Sequence, residues 1–385
     1  MSISVRIIAL LLAVIAFFTI FPASIAAEDV SLPSVSAQSA ILIDGQSGTV
    51  LYEKQADLRL PMASTTKIMT ALVALEQMPL DTVITVDSRA VGVEGSSIYL
   101  VEGEQLTLEQ LLYALLLESA NDAATAIAIG VADSVEAFAE LMNQTARDMG
   151  LENTRFQNPH GLDHAEHYTT ARELARITAH ALKNPTIAAI VATQKTTIPH
   201  SGNDGVRLLV NHNRLLRDYD NAIGVKTGYT KRSGRCLVSA AEQDGAKLIA
   251  VTLNAPNDWR DHTALLDYGF SQMESIYLCD AHQICIPVSV VGGDRSAVFV
   301  SNSQELTVSI PKAHSEIQKV VEIPRFLYAT VEAGDVIGRV VYQCDLNEDG
   351  ALETIGSVTL TAQTTVRPGN KKRTFWQWLR SLLVR

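Results

Sequence analysis

Apolar and polar positions alternate along residues 39–54, where Ala40-Ile41-Leu42-Ile43 and Val50-Leu51-Tyr52 flank Asp44-Gly45-Gln46-Ser47-Gly48. A period of two on either side of such a turn predicts a β-hairpin. The period then lengthens. Ile68, Leu72 and Leu75 recur at helical spacing and predict a helix over 64–77. Thr107 opens another, with Gln110 completing a capping box. Its Leu108, Leu111, Leu112, Leu115 and Leu116 leave no single polar face, which predicts a buried helix. Further helices are expected over 121–150 and 170–183. From Ile223 the strand period returns: Ile223–Thr227, Arg235–Glu242 and Lys247–Leu253 read as successive antiparallel strands, with Asp244-Gly245 as a hairpin turn. A helix over 263–273 closes this region. The pattern predicts an α+β domain over 27–278, an antiparallel sheet built from both chain ends with a helical block inserted. Beyond it, short Val- and Ile-rich runs alternate with Gly, Asp and Asn, which predicts a small all-β domain over 279–369.

The two ends differ from the body. Arg6 is the only charge before Glu28, Ile7 to Phe18 is wholly apolar, and Ser24-Ile25-Ala26 fits a small-x-small cleavage site. Residues 1–26 therefore read as a signal peptide for export, with an uncleaved membrane anchor as the alternative. At the other end, residues 371–385 carry five positive charges and no acid. On a helix, Phe375, Trp376, Trp378, Leu379, Leu382 and Leu383 fall on one arc, opposite Gln377, Arg380 and Ser381. A basic, aromatic, amphipathic helix over 370–385 is expected to lie in a membrane interface rather than span it; docking on the protein's own surface is the alternative.

Composition narrows the function. The chain has 385 residues, 47% of them apolar, and a net charge of −11. An acidic body with 6% aromatics argues against nucleic-acid binding. The four cysteines, Cys236, Cys279, Cys285 and Cys344, have no Cys-x-x-Cys spacing and predict no zinc site. Cys279 and Cys285 are close enough in sequence to pair, and Cys236 reads as a buried small hydrophobe. Asp345 to Gly350 begins like a calcium loop, but Gly356 stands where a ligating Glu is needed, so a polar hairpin is expected. His160, His164 and His167 lack the setting of a zinc motif.

Three short motifs carry candidate chemistry. Ser64-Thr65-Thr66-Lys67 puts a hydroxyl and an amine one helical turn apart on one face. Serine is a poor nucleophile until a base removes its proton, and lysine serves only when neutral; burial and a second cation both favour that form. Ser119-Ala120-Asn121 interrupts the buried leucine helix, a better setting for a cleft than the turn-like Ser201-Gly202-Asn203. Lys226-Thr227-Gly228 ends an apolar strand, where a cation and a hydroxyl suit an anionic terminus and glycine admits a substrate backbone.

Taken together and in this order, the motifs resemble those of the exported penicillin-binding D-alanyl-D-alanine carboxypeptidases, with the likeness extending over about residues 35–370. Asn158-Pro159-His160-Gly161-Leu162-Asp163 looks like a family loop near the site. The resemblance implies a penicillin-recognising fold that needs no cofactor. It implies Ser64 as nucleophile, Lys67 as base and Ser119 as proton relay. Asn121 would hold the substrate amide, Lys226 and Thr227 the terminal carboxylate, and Ser64 and Tyr229 N–H the oxyanion. Gly228 would line the substrate strand, and Arg260 aligns loosely with a carboxylate-binding arginine. The partners implied are peptidoglycan stem peptides ending in D-Ala-D-Ala, and β-lactams as covalent inhibitors. Ala120 and Tyr229 depart from common family choices. Three rival readings are a β-lactamase, for which no Glu-x-x-Leu-Asn pattern lies between the second and third motifs; a DD-endopeptidase or transpeptidase, which is closer still and shares the motifs; and a non-catalytic wall-binding protein, which would not require the intact Ser, Lys, Ser, Asn and Lys.

Overall fold

The computed structural model describes residues 31–200, 205–347 and 349–369. The expected hairpin is β1 (Ser39–Asp44) and β2 (Val50–Lys54). A 3-10 turn, Ala63–Thr66, runs directly into α1 (Lys67–Gln77). The pair β3 (Val83–Thr85) and β4 (Gln105–Thr107) precedes α2 (Leu108–Leu117), on which the Thr107–Gln110 capping box forms. Two helices, α3 (Asn121–Ala132) and α4 (Val135–Asp148), replace the single helix expected over 121–150. The break falls at Asp133, in the left-handed region at φ 63°, and Ser134 restarts the helix by accepting the Ala137 N–H. There follow α5 (Ala171–Ala181), α6 (Pro185–Ala192), the pair β5 (Lys195–Pro199) and β6 (Val206–Val210), and short α7 (Leu215–Asp218).

The strands β7 (Ala222–Thr230), β8 (Gly234–Gln243) and β9 (Ala246–Leu253) then join the first hairpin in one antiparallel sheet, ordered β2-β1-β9-β8-β7. Strand β1 lies inside this sheet and every one of its residues is buried. Ile41 and Ile43 face a core shared with Met62, Ile68 and Val238; Ala40 and Leu42 face another with Leu248, Leu265 and Leu266. The second core is closed by α8 (Asp258–Ser271), which starts five residues before the expected 263. Its first turn holds Asp258 and Asp261, acids that complement the helix N-terminus. Buried Asp261 also accepts the Ser36 N–H and hydroxyl and the Ala37 N–H, fastening the segment before β1. That long-range partner is invisible in a run that reads locally as a polar turn. Strand β7 stays at the sheet edge.

The remaining described residues form strands only. They are β10 (Met273–Cys279), β11 (Cys285–Val291), β12 (Ala297–Asn302), β13 (Leu306–Pro311), β14 (Gln318–Glu322), β15 (Phe326–Tyr328), β16 (Val336–Cys344) and β17 (Glu353–Ala362). A six-stranded sheet runs β14-β16-β17-β12-β11-β15, with β11–β15 its one parallel pair, and β10 pairs with β13. Val288, Val300, Val340 and Leu360 centre its core. Strand β10 contributes Met273 to the α8 side and Cys279 to this second core. Cys279 and Cys285 are not bonded: all four cysteines are free, Cys279 buried and Cys285 exposed, while Cys236 is buried against the first sheet. The Asp345 carboxylate accepts the Asn347 and Gly350 N–H groups and closes the β16–β17 hairpin. No helix among the described residues is long and apolar enough to cross a membrane. The expected leader at 1–26, the turn at Ser201–Asn203 and the basic tail at 371–385 lie outside the described residues.

Candidate active site

The chain turns sharply at Ala63, whose φ of 47° is left-handed, and presents Ser64 partly exposed in the 3-10 turn. Lys67 opens α1 one turn on and is fully buried. Its Nζ lies 2.9 Å from Ser64 Oγ, 2.7 Å from Asn121 Oδ1 and 2.7 Å from the His160 carbonyl oxygen. The last two groups only accept. A neutral amine has two N–H bonds and one lone pair. Donating to both carbonyls leaves its lone pair facing the Ser64 hydroxyl, the arrangement a general base requires. Burial holds the Lys67 ammonium well below its ordinary range, the nearby Lys226 cation pushes it down further, and Asp122 opposes both.

The second motif brackets this amine. Ser119 is buried at φ 60° between α2 and α3, with no side-chain hydrogen bond among the described residues. Asn121 begins α3; its carboxamide gives Oδ1 to Lys67 and Nδ2 to the Glu94 carbonyl, so both polar ends are held by protein. Next to it, buried Asp122 accepts the Ser97 hydroxyl and the Ile98 and Leu100 N–H groups, locking the loop before β4 over the site.

The third motif comes from β7. Lys226 is buried and donates to the Thr227 carbonyl at 3.0 Å. Burial lowers its pKa to about 7, against the supporting charge of Glu118. Gly228 abuts the nucleophile turn: a Cβ there would stand 2.9 Å from Ser64 N and 3.2 Å from the Met62 carbonyl oxygen. No other residue lets β7 approach so closely. Tyr229 points its ring outward and is 65% exposed, so its backbone is what the site can use. The strand is tied to the 158–163 loop by the Thr230 hydroxyl, which donates to Asp163 at 2.9 Å. Within that loop, Asn158 accepts the Gly161 N–H, and Thr70 accepts a place under it by donating to the Pro159 carbonyl.

Contacts thus bring Ser64, Lys67, Asn121 and Gly228 together, with Lys226 near enough to act on the Lys67 charge, and Ser119, Thr227 and Tyr229 adjoin them in sequence; Arg260 stands apart. It is exposed in the first turn of α8, lining a cavity of about 500 Å³ with Arg214, Arg235 and Trp259. Among the described residues no hydrogen bond or ion pair joins it to Ser64, Lys226 or Thr227. Arg235, directly across the ladder from Tyr229, is a cation that sequence reasoning missed. Also missed were the carbonyls of Glu94 and His160, because backbone oxygens carry no residue signature. Asp122 and Glu118 flank the second motif and were within reach of a reading that asked which charges sit beside the lysines.

Comparison with known proteins places the chain in a family. The protein family described as D-alanyl-D-alanine carboxypeptidase matches residues 26–257. The chain is 30% identical to the D-alanyl-D-alanine carboxypeptidase DacF of Bacillus subtilis, over 97% of this chain and 98% of that protein. It is 34% identical to DacC of Escherichia coli, over 85% and 86% respectively. Among solved structures, penicillin binding protein 5 of Haemophilus influenzae superposes with a TM-score of 0.62 at 31% identity, covering 88% of this chain and 99% of that one. With Ser64, Lys67, Asn121 and Gly228 gathered around one turn and these relatives matching over most of the chain, the chain belongs to the serine D-alanyl-D-alanine carboxypeptidase family.

Proposed function

We propose that Ser64 removes the terminal D-alanine of peptidoglycan stem peptides through an acyl-enzyme. The observation that carries this reading is the Lys67 amine, whose two carbonyl acceptors leave its lone pair on Ser64 Oγ. The Ser64 proton passes to Lys67 Nζ as Oγ bonds to the penultimate D-alanine carbonyl carbon. The oxyanion is held by the Ser64 and Tyr229 N–H groups. The C–N bond breaks as Ser119 gives its hydroxyl proton to the leaving amine and takes the one held by Lys67, which restores the neutral amine. Water then attacks the ester, returning Ser64 and releasing the shortened peptide. The substrate lies along the open edge of β7 by main-chain pairing, with its carboxylate on Lys226 and Thr227. Asn121 holds the substrate amide by exchanging its Glu94 contact, and Arg260 is assigned to the carboxylate on the family likeness alone. β-Lactams acylate Ser64 by the same path.

Residues 27–278 form the catalytic domain around its inserted helical block, and 279–369 the β-rich spacer. Residues 1–26 direct export and are removed. The basic, aromatic tail 371–385 rests on the membrane, so the enzyme works on the outer face; its composition supports this. Deleting 371–385 abolishes co-sedimentation with anionic vesicles if so, and retained binding places the anchor elsewhere.

The mechanism is tested by intact-protein mass after brief exposure to benzylpenicillin, beside Ser64→Ala. A single stable adduct absent from the variant supports it. No adduct with intact penicillin favours a binding protein, and no adduct with hydrolysed penicillin a β-lactamase.

A further inference from the structure

A buried hydrogen-bond chain ends on the peptide unit that supplies the oxyanion donor. The Gln157 N–H donates to His167 Nδ1 at 3.0 Å. His167 Nε2 lies 2.8 Å from Thr66 Oγ1, and Thr66 Oγ1 donates to the Ala63 carbonyl oxygen at 2.8 Å. The directions are forced. A hydroxyl has one proton, so Thr66 donates to Ala63 and accepts from His167. Nδ1 accepts from Gln157, so His167 is the neutral imidazole protonated on Nε2. His167 and Thr66 are both buried, and the Phe156 ring meets the imidazole edge-on at 5.8 Å.

The last acceptor matters because the Ala63 carbonyl and the Ser64 N–H belong to one planar peptide unit and point in opposite directions. Fixing one end aims the other. Ala63 holds a left-handed φ that alanine adopts only under constraint, so this unit needs an external hold. Gly161 packs against the same carbonyl, where a Cβ would come within 1.9 Å of the oxygen. On the opposite side, Gly228 makes room beside the Ser64 nitrogen.

We infer that His167 is a positioning residue of the oxyanion hole: acting through Thr66 and the Ala63 carbonyl, it aims the Ser64 N–H at the developing oxyanion. The inference rests on the Ser64 acyl-enzyme reading above. It assigns a catalytic consequence to a histidine that touches neither nucleophile nor substrate.

Two amide variants separate the two contacts of the ring. Gln at 167 places its amide near Nε2 and keeps the Thr66 contact; Asn places its amide near Nδ1 and keeps only Gln157. The experiment compares second-order acylation by benzylpenicillin, and thermal melting, for His167→Gln, His167→Asn, Thr66→Ser and Thr66→Val, with Ser64→Ala as control. Loss of a whole oxyanion donor costs about 100- to 1,000-fold, so misaiming one is expected to slow His167→Asn and Thr66→Val by roughly 30-fold. His167→Gln and Thr66→Ser should stay within about 3-fold of the parent, and the His167→Asn/Thr66→Val double variant should be no slower than either single one, as for residues acting as one unit. Rates that follow melting temperature rather than the Thr66 contact overturn the inference, as does parental acylation by His167→Asn. Adduct formation by Ser64→Ala would instead defeat the acyl-enzyme reading beneath it.

Discussion

Lys67 Nζ stands 2.9 Å from Ser64 Oγ with its other two contacts on groups that only accept, so the amine is built to receive a proton from that hydroxyl. Lys67→Ala should therefore slow acylation by benzylpenicillin by about 100- to 10,000-fold. Lys67→Arg should fail as badly, because guanidinium stays charged and has no free lone pair. Stopped-flow acylation checks both; an active arginine variant would show that positive charge, not basicity, is what the site uses.

Under the proposed carboxylate contact Lys226 must be charged, and burial brings its pKa down to about 7. Acylation by a carboxylate-bearing β-lactam should then decline as pH rises through about 7 in the free enzyme. Glu118 supports the Lys226 charge. Removing that anion in Glu118→Gln lowers the Lys226 pKa further, so the alkaline limb should move to lower pH. A limb unmoved in this variant would belong to another group.

Gly228→Ala adds a methyl 2.9 Å from Ser64 N, with backbone rather than a flexible side chain in its path. Overpacking of this kind costs about 1–3 kcal/mol. Strand β7 should retreat from the nucleophile turn, so the expected signature is a fall in acylation well beyond the loss in melting temperature. Parental acylation would mean that β7 need not touch that turn.

His262 sits fully buried between the Ser239 hydroxyl and Thr252 Oγ1, and burial lowers its pKa to about 3. The unfolded chain takes up this proton near pH 6.5, the folded one only near 3. Stability contributed by the neutral ring is therefore complete above about 6.5 and is lost as pH falls towards 3. Half-buried His160 and buried His167, both with lowered pKa, act in the same direction. His262→Gln should melt lower at pH 7.5 yet show a shallower decline between pH 6.5 and 4. An equally steep decline would assign the acid sensitivity to the other two histidines.

The Ser64–Lys67 pair and the strand carrying Lys226 were legible because their spacing is local. Ser64 and Lys67 are one turn apart, and Lys226-Thr227-Gly228 ends a run of clear strand period. Ser119 and Asn121 stood out because polar residues interrupt a buried leucine helix. The partners that tune them were not legible. The Glu94 and His160 carbonyls reach Asn121 and Lys67 across long stretches of chain and bear no side-chain signature. His167 drew notice only as a metal candidate, since its tautomer depends on a backbone N–H and a hydroxyl 101 residues away. Helix boundaries failed for the same reason. Asp133 and Asp258 read as ordinary acids until their backbone geometry and tertiary contacts are known. Likewise, the β11–β15 pairing could not be foreseen from short strands whose natural neighbours are hairpin partners.

The interior position of β1 sets an order of assembly. Ser39 to Asp44 pair with Leu253 to Leu248, so the strand leading to the nucleophile turn completes its ladder only with the far end of the sheet. A chain that emerges N-terminus first carries Ser64 long before it carries β9. Until about residue 253 is delivered, the second edge of β1 has no partner and the sheet that sets Gly228 beside the serine is incomplete, because closing so long a loop is entropically disfavoured. A truncated or still-threading chain is thus a serine without an enzyme, and acylating power switches on late and all at once.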